Sequence, residues 1–192
     1  TFLRVWEIES NPVSLFGDEV DVGYQAYSIL KTGSDYSGNF MPMHFRSLAE
    51  WRTPLYIYSA VPSVGIFGIS PLGVRLPAII FGILTIWIIY LMVKRMTYNK
   101  GVALLSAFFL AISPWHLQYS RAGFEASQLL FFYMAGIYFL LKGLKNSKWL
   151  VVSAICLGLT PWIYSTAKLF LPLSLAAILI IWWEQFKTIH KK

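Results

Sequence analysis

Five stretches of this 192-residue chain run without a charged residue for long enough to suggest membrane spans: 76–93, 101–120, 126–141, 149–167 and 169–183. A span needs about 20 residues, with roughly 17–25 tolerated. The third and fifth stretches are short on that count, and Lys142 and Lys168 at their edges can snorkel to extend them. Upstream the pattern changes. Over 18–33, Val20, Gly23, Tyr24, Tyr27 and Leu30 recur at helical spacing on one face, and Gly33 stands where it can end a helix. "PLYIYSAVPSVGIFGIS" (54–70) is apolar but too short to cross a bilayer. Pro62 lies in its middle, followed by Gly65 and Gly68, all costly in a helix. Both upstream segments read as helices lying in a membrane interface. The pattern predicts an all-α polytopic membrane protein with about five transmembrane helices and two interfacial ones. Residues 1–70 form an outer-face loop region. Residues 71–192 form the bundle, with helices near 72–94, 101–120, 124–143, 148–166 and 168–185.

Composition supports a membrane setting. Hydrophobic residues make up 57% of the chain and charged ones 13%, against about a quarter in soluble domains. Mean hydropathy is +0.58. The net charge of +7 raises nucleic acid as a partner, but its distribution argues against one. The loops 94–100, 142–148 and 187–192 each carry three Lys or Arg and no acid. The positive-inside rule places such loops in the cytoplasm. Eight of the nine acids then fall on the outer side, and only Glu184 sits near an inner end. The expected location is the cell membrane, multi-pass, with membrane lipid as a partner and no nucleic acid. Cys156, the single cysteine, allows no internal disulfide.

The acids concentrate in "NPVSLFGDEVDVGYQ" (11–25), which holds Asp18, Glu19 and Asp21. Asp18 suits an N-cap, since acids favour the first turn of a helix. A carboxylate held rigidly there could also take a proton from an acceptor hydroxyl, with Glu19 as its neighbour. Arg121 and Glu125, four apart, read either as an ordinary ion pair or as a phosphate-binding guanidinium and the acid that orients it. Lys168 reads as a snorkelling residue or a second phosphate clamp. Arg75 reads as an interfacial anchor or substrate contact, with Pro77 placed in the first turn of its helix. His44, His116 and His190 could join Asp18 or Glu19 around a divalent metal, but they show no HxxxH or HxH spacing. The expectation is therefore no metal and no other cofactor. No phosphate-binding glycine loop or nucleophile elbow is present. Acids and phosphate-binding cations on one membrane face suit a lipid-linked phosphate donor.

The segments "NPVSLFGDE", "GYQAYSILKTGSDYSGNFMP", "WRTPLYIYSAVP", "FGISPLGVRLPAIIFG", "AISPWHLQYSRAGFEASQLLFF" and "YSTAKLFLP" occur in this order. Together they resemble the dolichyl-phosphate-mannose-protein mannosyltransferase-like family of membrane glycosyltransferases, prokaryotic type, with the GT-C fold. The resemblance implies inverting transfer of a mannose-like or other hexose from a polyprenyl-phosphate donor to a protein, lipid or glycan acceptor. It implies Asp18 as the catalytic acid, with Glu19 beside it. Arg121, Glu125 and Lys168 fall near donor-phosphate and structural polar positions. It also implies a transmembrane helix ahead of Thr1, so the chain is expected to be an N-terminal fragment. Tyr36 stands where related chains often carry a second acid after Asp35. The rival expectations are a transporter or flippase of lipid-linked sugars, an inactive structural relative, and a metal-dependent oligosaccharyltransferase relative.

Overall fold

The computed structural model describes residues 2–47 and 50–183. Glu184, His190 and the basic run 187–192 lie outside the described residues, as does the end of the expected last span. A short α1 (Phe2–Val5) is followed by α2 (Gly17–Thr32). A two-stranded antiparallel hairpin, β1 (Phe45–Arg46) and β2 (Trp51–Arg52), leads into α3 (Pro54–Phe67). The bundle comprises α4 (Pro71–Thr97), α5 (Lys100–Ile112), α6 (Pro114–Arg121), α7 (Glu125–Gly143), α8 (Lys148–Ile163) and α9 (Ala167–Ile181). The protein is thus mostly helical, and the hairpin is a departure from the all-α expectation. It pairs Phe45 with Arg52 across the strands, and it matters below because it delivers Arg52 to α2.

The expected two upstream helices are present, and of the face read for α2 only Gly23 is buried. Val20, Tyr24, Tyr27 and Leu30 do share a face, and that face is the exposed one. The buried face is Glu19, Val22, Gly23, Gln25, Ala26 and Ile29, which packs against α3 and the start of α4. There Val22, Ala26, Phe45, Tyr56, Ile57, Ala60, Val64, Val74 and Ala78 form one buried cluster. Gly33 ends α2 in the left-handed conformation (φ 71°), its N–H donating to Ile29. In α3, Pro62 does not interrupt the helix; it lies on the exposed side.

Within the bundle, α4 and α7 are the described helices long and apolar enough to cross a membrane alone. The expected span over 101–120 is instead two helices, α5 and α6, bent by 58° at Ser113–Pro114. Pro114 has no N–H to continue the helix, and it forces Ser113 out of the α region (φ −59°, ψ 123°). Taken together, this bent pair also passes the length and composition test. Helices α8 and α9 are apolar, at 16 and 15 residues. They fall short of the about 20 residues of a full span, so among the described residues two helices meet the length criterion, or three crossings if the bent pair is one span, against the five expected.

Two further helix prolines, Pro77 and Pro161, are accommodated by hydroxyls. Pro77 lies inside α4 rather than in its first turn, because the helix begins six residues earlier at Pro71 behind the Ser70 cap. The carbonyl of Gly73, which the missing Pro77 N–H leaves free, accepts the Ser63 hydroxyl of α3 at 2.6 Å. In α8 the carbonyl of Leu157, four before Pro161, accepts Thr160 Oγ1 at 2.7 Å. Helices α7 and α8 approach closely at Gly136, where an added Cβ would lie 2.5 Å from the Leu157 side chain. The Gly136 carbonyl accepts Ser153 Oγ at 2.7 Å across the same contact. Small residues permit this closeness between membrane helices. Replacing Gly136 by Val is therefore expected to lower stability by about 1–3 kcal/mol, the usual overpacking cost. Ser153→Ala is expected to cost about 0.6 kcal/mol, the average for a bond between membrane helices. Unfolding curves in mixed detergent micelles check both.

Candidate active site

The first turn of α2 divides its acids by geometry. Successive helical residues are about 100° apart, so Asp18 and Glu19 face different neighbours, while Asp18 and Asp21 share a face. Glu19, 1% exposed, points into the protein. Its two oxygens meet Arg75 Nε at 2.8 Å and Nη2 at 2.9 Å, a bidentate pair. Oε2 also accepts the backbone N–H of Phe16 at 2.9 Å, closing the start of α2, and Oε1 accepts that of Gly123 at 2.6 Å. The N-terminal acid that reaches back to the backbone is thus Glu19, at the third helical position, rather than Asp18. Arg75, 0% exposed, gives its remaining donors to the carbonyls of Ile8, Pro12 and Ser14. Gly123 fits closely here, since a Cβ would lie 3.0 Å from the Val74 side chain and 3.3 Å from that of Glu19 and would press on both. Burial by itself raises the Glu19 pKa, but Arg75 and the two N–H donors outweigh it and hold the carboxyl below its ordinary value.

Asp18 faces outward, with its side chain 46% exposed. Arg52, delivered by β2 and nearly buried, donates through Nη2 to Asp18 Oδ1, and its Nε lies 3.3 Å from Asp21 Oδ2. Glu50 stands 3.7 Å from the same guanidinium. Burial pushes the Asp21 carboxyl up, and Arg52 opposes the shift. The Thr53 hydroxyl donates to the Ile163 carbonyl at 2.6 Å, fastening the hairpin to the end of α8. This bond brings Tyr164 and Ser165 to the same place. The result is a cavity of about 290 Å³ bordered by Asp18, Glu50, Arg52 and Glu125, with rings from Trp51, Tyr119, Phe124 and Tyr164 around it. That volume lies near the small end of the about 300–1,000 Å³ typical of ligand pockets.

Of the expected site residues, Asp18 and Glu125 share this cavity. Glu19 and Arg75 lie beside it as an enclosed pair, with no side-chain atom on its lining. Arg121 and Glu125 do not sit on one helix. Arg121 ends α6 and donates to the carbonyls of Leu3 and Asn11, both at 2.6 Å, while Glu125 begins α7. Lys168 is exposed in the first turn of α9, three residues beyond Ser165, and does not border the cavity. Asp35 is a loop staple, accepting from the N–H groups of Ser37 and Asn39 and from Asn39 Nδ2. His44 faces Trp162, and His116 Nδ1 lies 2.6 Å from Arg4 Nη2; neither joins Asp18. Among the described residues no three His, Cys, Asp or Glu are grouped to hold a metal.

The dolichyl-phosphate-mannose-protein mannosyltransferase family model matches residues 52–192. The chain belongs to that family. The match starts at Arg52, so Asp18, Glu19 and Asp21 precede it. What joins them to the matched part is the pairing just described, Asp18 with Arg52 and Glu19 with Arg75. The chain is 35% identical over 110 residues to the dolichyl-phosphooligosaccharide-protein glycotransferase 2 of Pyrococcus horikoshii, covering 55% of this chain and 14% of that protein. It is 33% identical over 104 residues to the protein of the same name from Pyrococcus furiosus, covering 53% and 14%. Identity to the putative mannosyltransferase YycA of Bacillus subtilis is 31% over 110 residues, covering 56% and 16%. The chain thus spans a small part of the length of these relatives. No solved structure matches it.

Sequence reasoning passed over Arg52. The available signal was scarcity: residues 1–53 contain four basic side chains against seven acids, and Arg52 is the one adjoining Thr53 and the proline that starts α3. Glu19→Ala leaves Arg75 charged, buried and without its partner, and is expected to destabilise the protein by about 3–5 kcal/mol. The acid dependence follows from the lowered pKa. The stabilisation by Glu19 is complete above its unfolded value of about 4.3 and is lost as pH falls through the lower folded value. Unfolding midpoints of wild type and variant, measured from neutral pH downward, should converge below that range.

Proposed function

We propose that this chain forms the acceptor-activating part of a membrane glycosyltransferase that uses a polyprenyl-phosphate-linked sugar. The observation that carries the proposal is the Asp18–Arg52 pair on one cavity wall at the end of an apolar bundle. A carboxylate half open to the cavity can take the acceptor proton. A nearly buried guanidinium beside it suits a phosphate, through its planar fork. In the reaction the acceptor oxygen forms a bond to the anomeric carbon from the face opposite the phosphate. The bond from that carbon to the phosphate oxygen breaks, its electron pair stays on the departing polyprenyl phosphate, and the hydroxyl proton passes to Asp18. Arg52 stabilises the charge that accumulates on the leaving phosphate. Glu125, which also borders the cavity, orients the acceptor or sugar hydroxyls. The surrounding rings offer apolar faces to the sugar. Arg121 and Lys168, which do not border the cavity, are kept as contacts for parts of an anionic donor that extend beyond it, while Glu19 and Arg75 act as the frame that fixes Asp18.

The Lys/Arg-rich end of the bundle is assigned to the cytoplasm and the Asp18 end to the extracytoplasmic face. All of the cavity charges lie at one end of the helices and none at mid-depth, which favours surface chemistry over transport. A second reading draws on the names of the Pyrococcus relatives, by which the donor would carry an oligosaccharide; joined to the metal-dependent rival expected from the sequence, it would make transfer depend on a divalent cation. Chelation separates the two. Under the first reading EDTA leaves transfer unchanged, and under the second it stops it.

In the full-length protein, Asp18→Asn is expected to reduce transfer from a polyprenyl-phosphate sugar by at least about 10²-fold, the lower range for a lost general base, with expression unchanged. Transfer by the purified variant at the wild-type rate contradicts the assignment. Arg52→Gln is expected to slow transfer and also to weaken donor binding, measured as a rise in KM.

A further inference from the structure

At the end of the bundle away from Asp18, a second cavity of about 620 Å³ opens among α4, α7 and α9. Arg95 enters it from the last turn of α4, and Lys145 from the turn after α7. Leu141 and Leu144 form its apolar wall, and Tyr98 and Trp182 flank it. Arg95 is held in place: one Nη2–H donates to the Leu141 carbonyl at 2.9 Å, against the carbonyl end of α7. Two neighbouring cations are turned to other partners. Lys142 Nζ lies 3.4 Å from the centroid of the Trp149 ring, and Lys94 Nζ 5.7 Å from that of Tyr90. Arg95 and Lys145 are therefore the charges that face the cavity. Residues 76–183 contain one acid, Glu125, which stands at the opposite end of α7. Among the described residues no carboxylate is available at this end to neutralise the pair.

Two cations, an apolar wall and two interfacial rings together match one chemistry, a phosphate attached to acyl chains. Basic pockets between membrane helices at the Lys/Arg-rich side suit anionic headgroups, and Trp and Tyr belong at headgroup depth. We propose that this cavity binds the headgroup of an anionic phospholipid from the leaflet facing the basic loops. Arg95 and Lys145 contact the phosphate, and Leu141 and Leu144 run beside the first acyl carbons. The proposal is independent of the transfer chemistry at the other end, and lipid binding there is expected in a protein inactivated at Asp18.

The test is lipid retention by the full-length protein. The protein is delipidated, exposed to equal phosphatidylglycerol and phosphatidylcholine, and examined by native mass spectrometry. Phosphatidylglycerol should be retained preferentially. Lys145→Gln, an exposed change that leaves the fold intact, should lower its retention about fivefold, the effect of one basic charge near an anionic surface. Arg95→Gln combined with Lys145→Gln should bring it to the phosphatidylcholine level. Lys148→Gln, outside the cavity, should change retention less than Lys145→Gln. Equal retention of the two lipids overturns the proposal. So does an equal loss in Lys148→Gln and Lys145→Gln, which indicates diffuse attraction only. Displacement by millimolar inorganic phosphate overturns the lipid assignment in favour of a free anion. Selective retention seen only in Glu184→Gln overturns it in favour of an internal carboxylate as the occupant.

Discussion

The buried pair of Glu19 and Arg75 fixes the rest of the polar end. A carboxylate and a guanidinium removed from water are tolerated only when almost every donor and acceptor is used, and here they are. Arg75 collects three carbonyls from the segment between α1 and α2, and Glu19 collects the N–H groups that begin α2 and precede α7. Three stretches distant in sequence, around Ile8–Ser14, Glu19 and Gly123, are thereby held on the first turns of α4. The pair also determines the rotation of α2. With Glu19 pointing inward, Asp18 must point about a third of a turn away, toward Arg52.

The cavity depends on this rotation and on the hairpin. Arg52 reaches Asp18 because β1 and β2 return the chain beside α2, and because Gln25 Nε2 on α2 donates to the Arg46 carbonyl at 3.1 Å. Thr53 then fastens the same strand to the end of α8. Hydroxyls do similar work at the helix contacts. Ser63 and Thr160 supply donors where prolines withhold them, so the bundle keeps prolines inside α4 and α8 without leaving those two carbonyls bare. In an apolar setting a bare carbonyl costs several kcal/mol.

Much of the helical layout was legible in the chain. Charge-free runs marked α4, α7, α8 and α9, and Gly33 marked the C-terminal end of α2. The break between α5 and α6 was missed because hydropathy does not register Pro114, although the proline itself was visible. The outward apolar face of α2 was legible, and its buried face was not. Its aromatic residues lie on the exposed face, and its buried face holds Glu19 and Gln25, whose burial depends on partners some 20 to 100 residues away. The candidate site was partly legible: "DE" marks the turn that borders the cavity, whereas Arg52 emerged only from strand pairing. The separation of Arg121 from Glu125 follows from the helix break that an i,i+4 count cannot show.

The division of labour within the Asp18–Glu19 turn is the central claim, with Asp18 as the proton acceptor and Glu19 as the frame. Equilibrium binding of a polyprenyl-phosphate sugar to full-length Asp18→Asn, measured beside single-turnover transfer, tests it most directly. The neutral amide removes one of the three carboxylates around Arg52 and leaves Asp21 and Glu50, so donor affinity should be unchanged or tighter while transfer is lost. Loss of donor binding in step with transfer would contradict the account and make Asp18 a binding residue instead of the base.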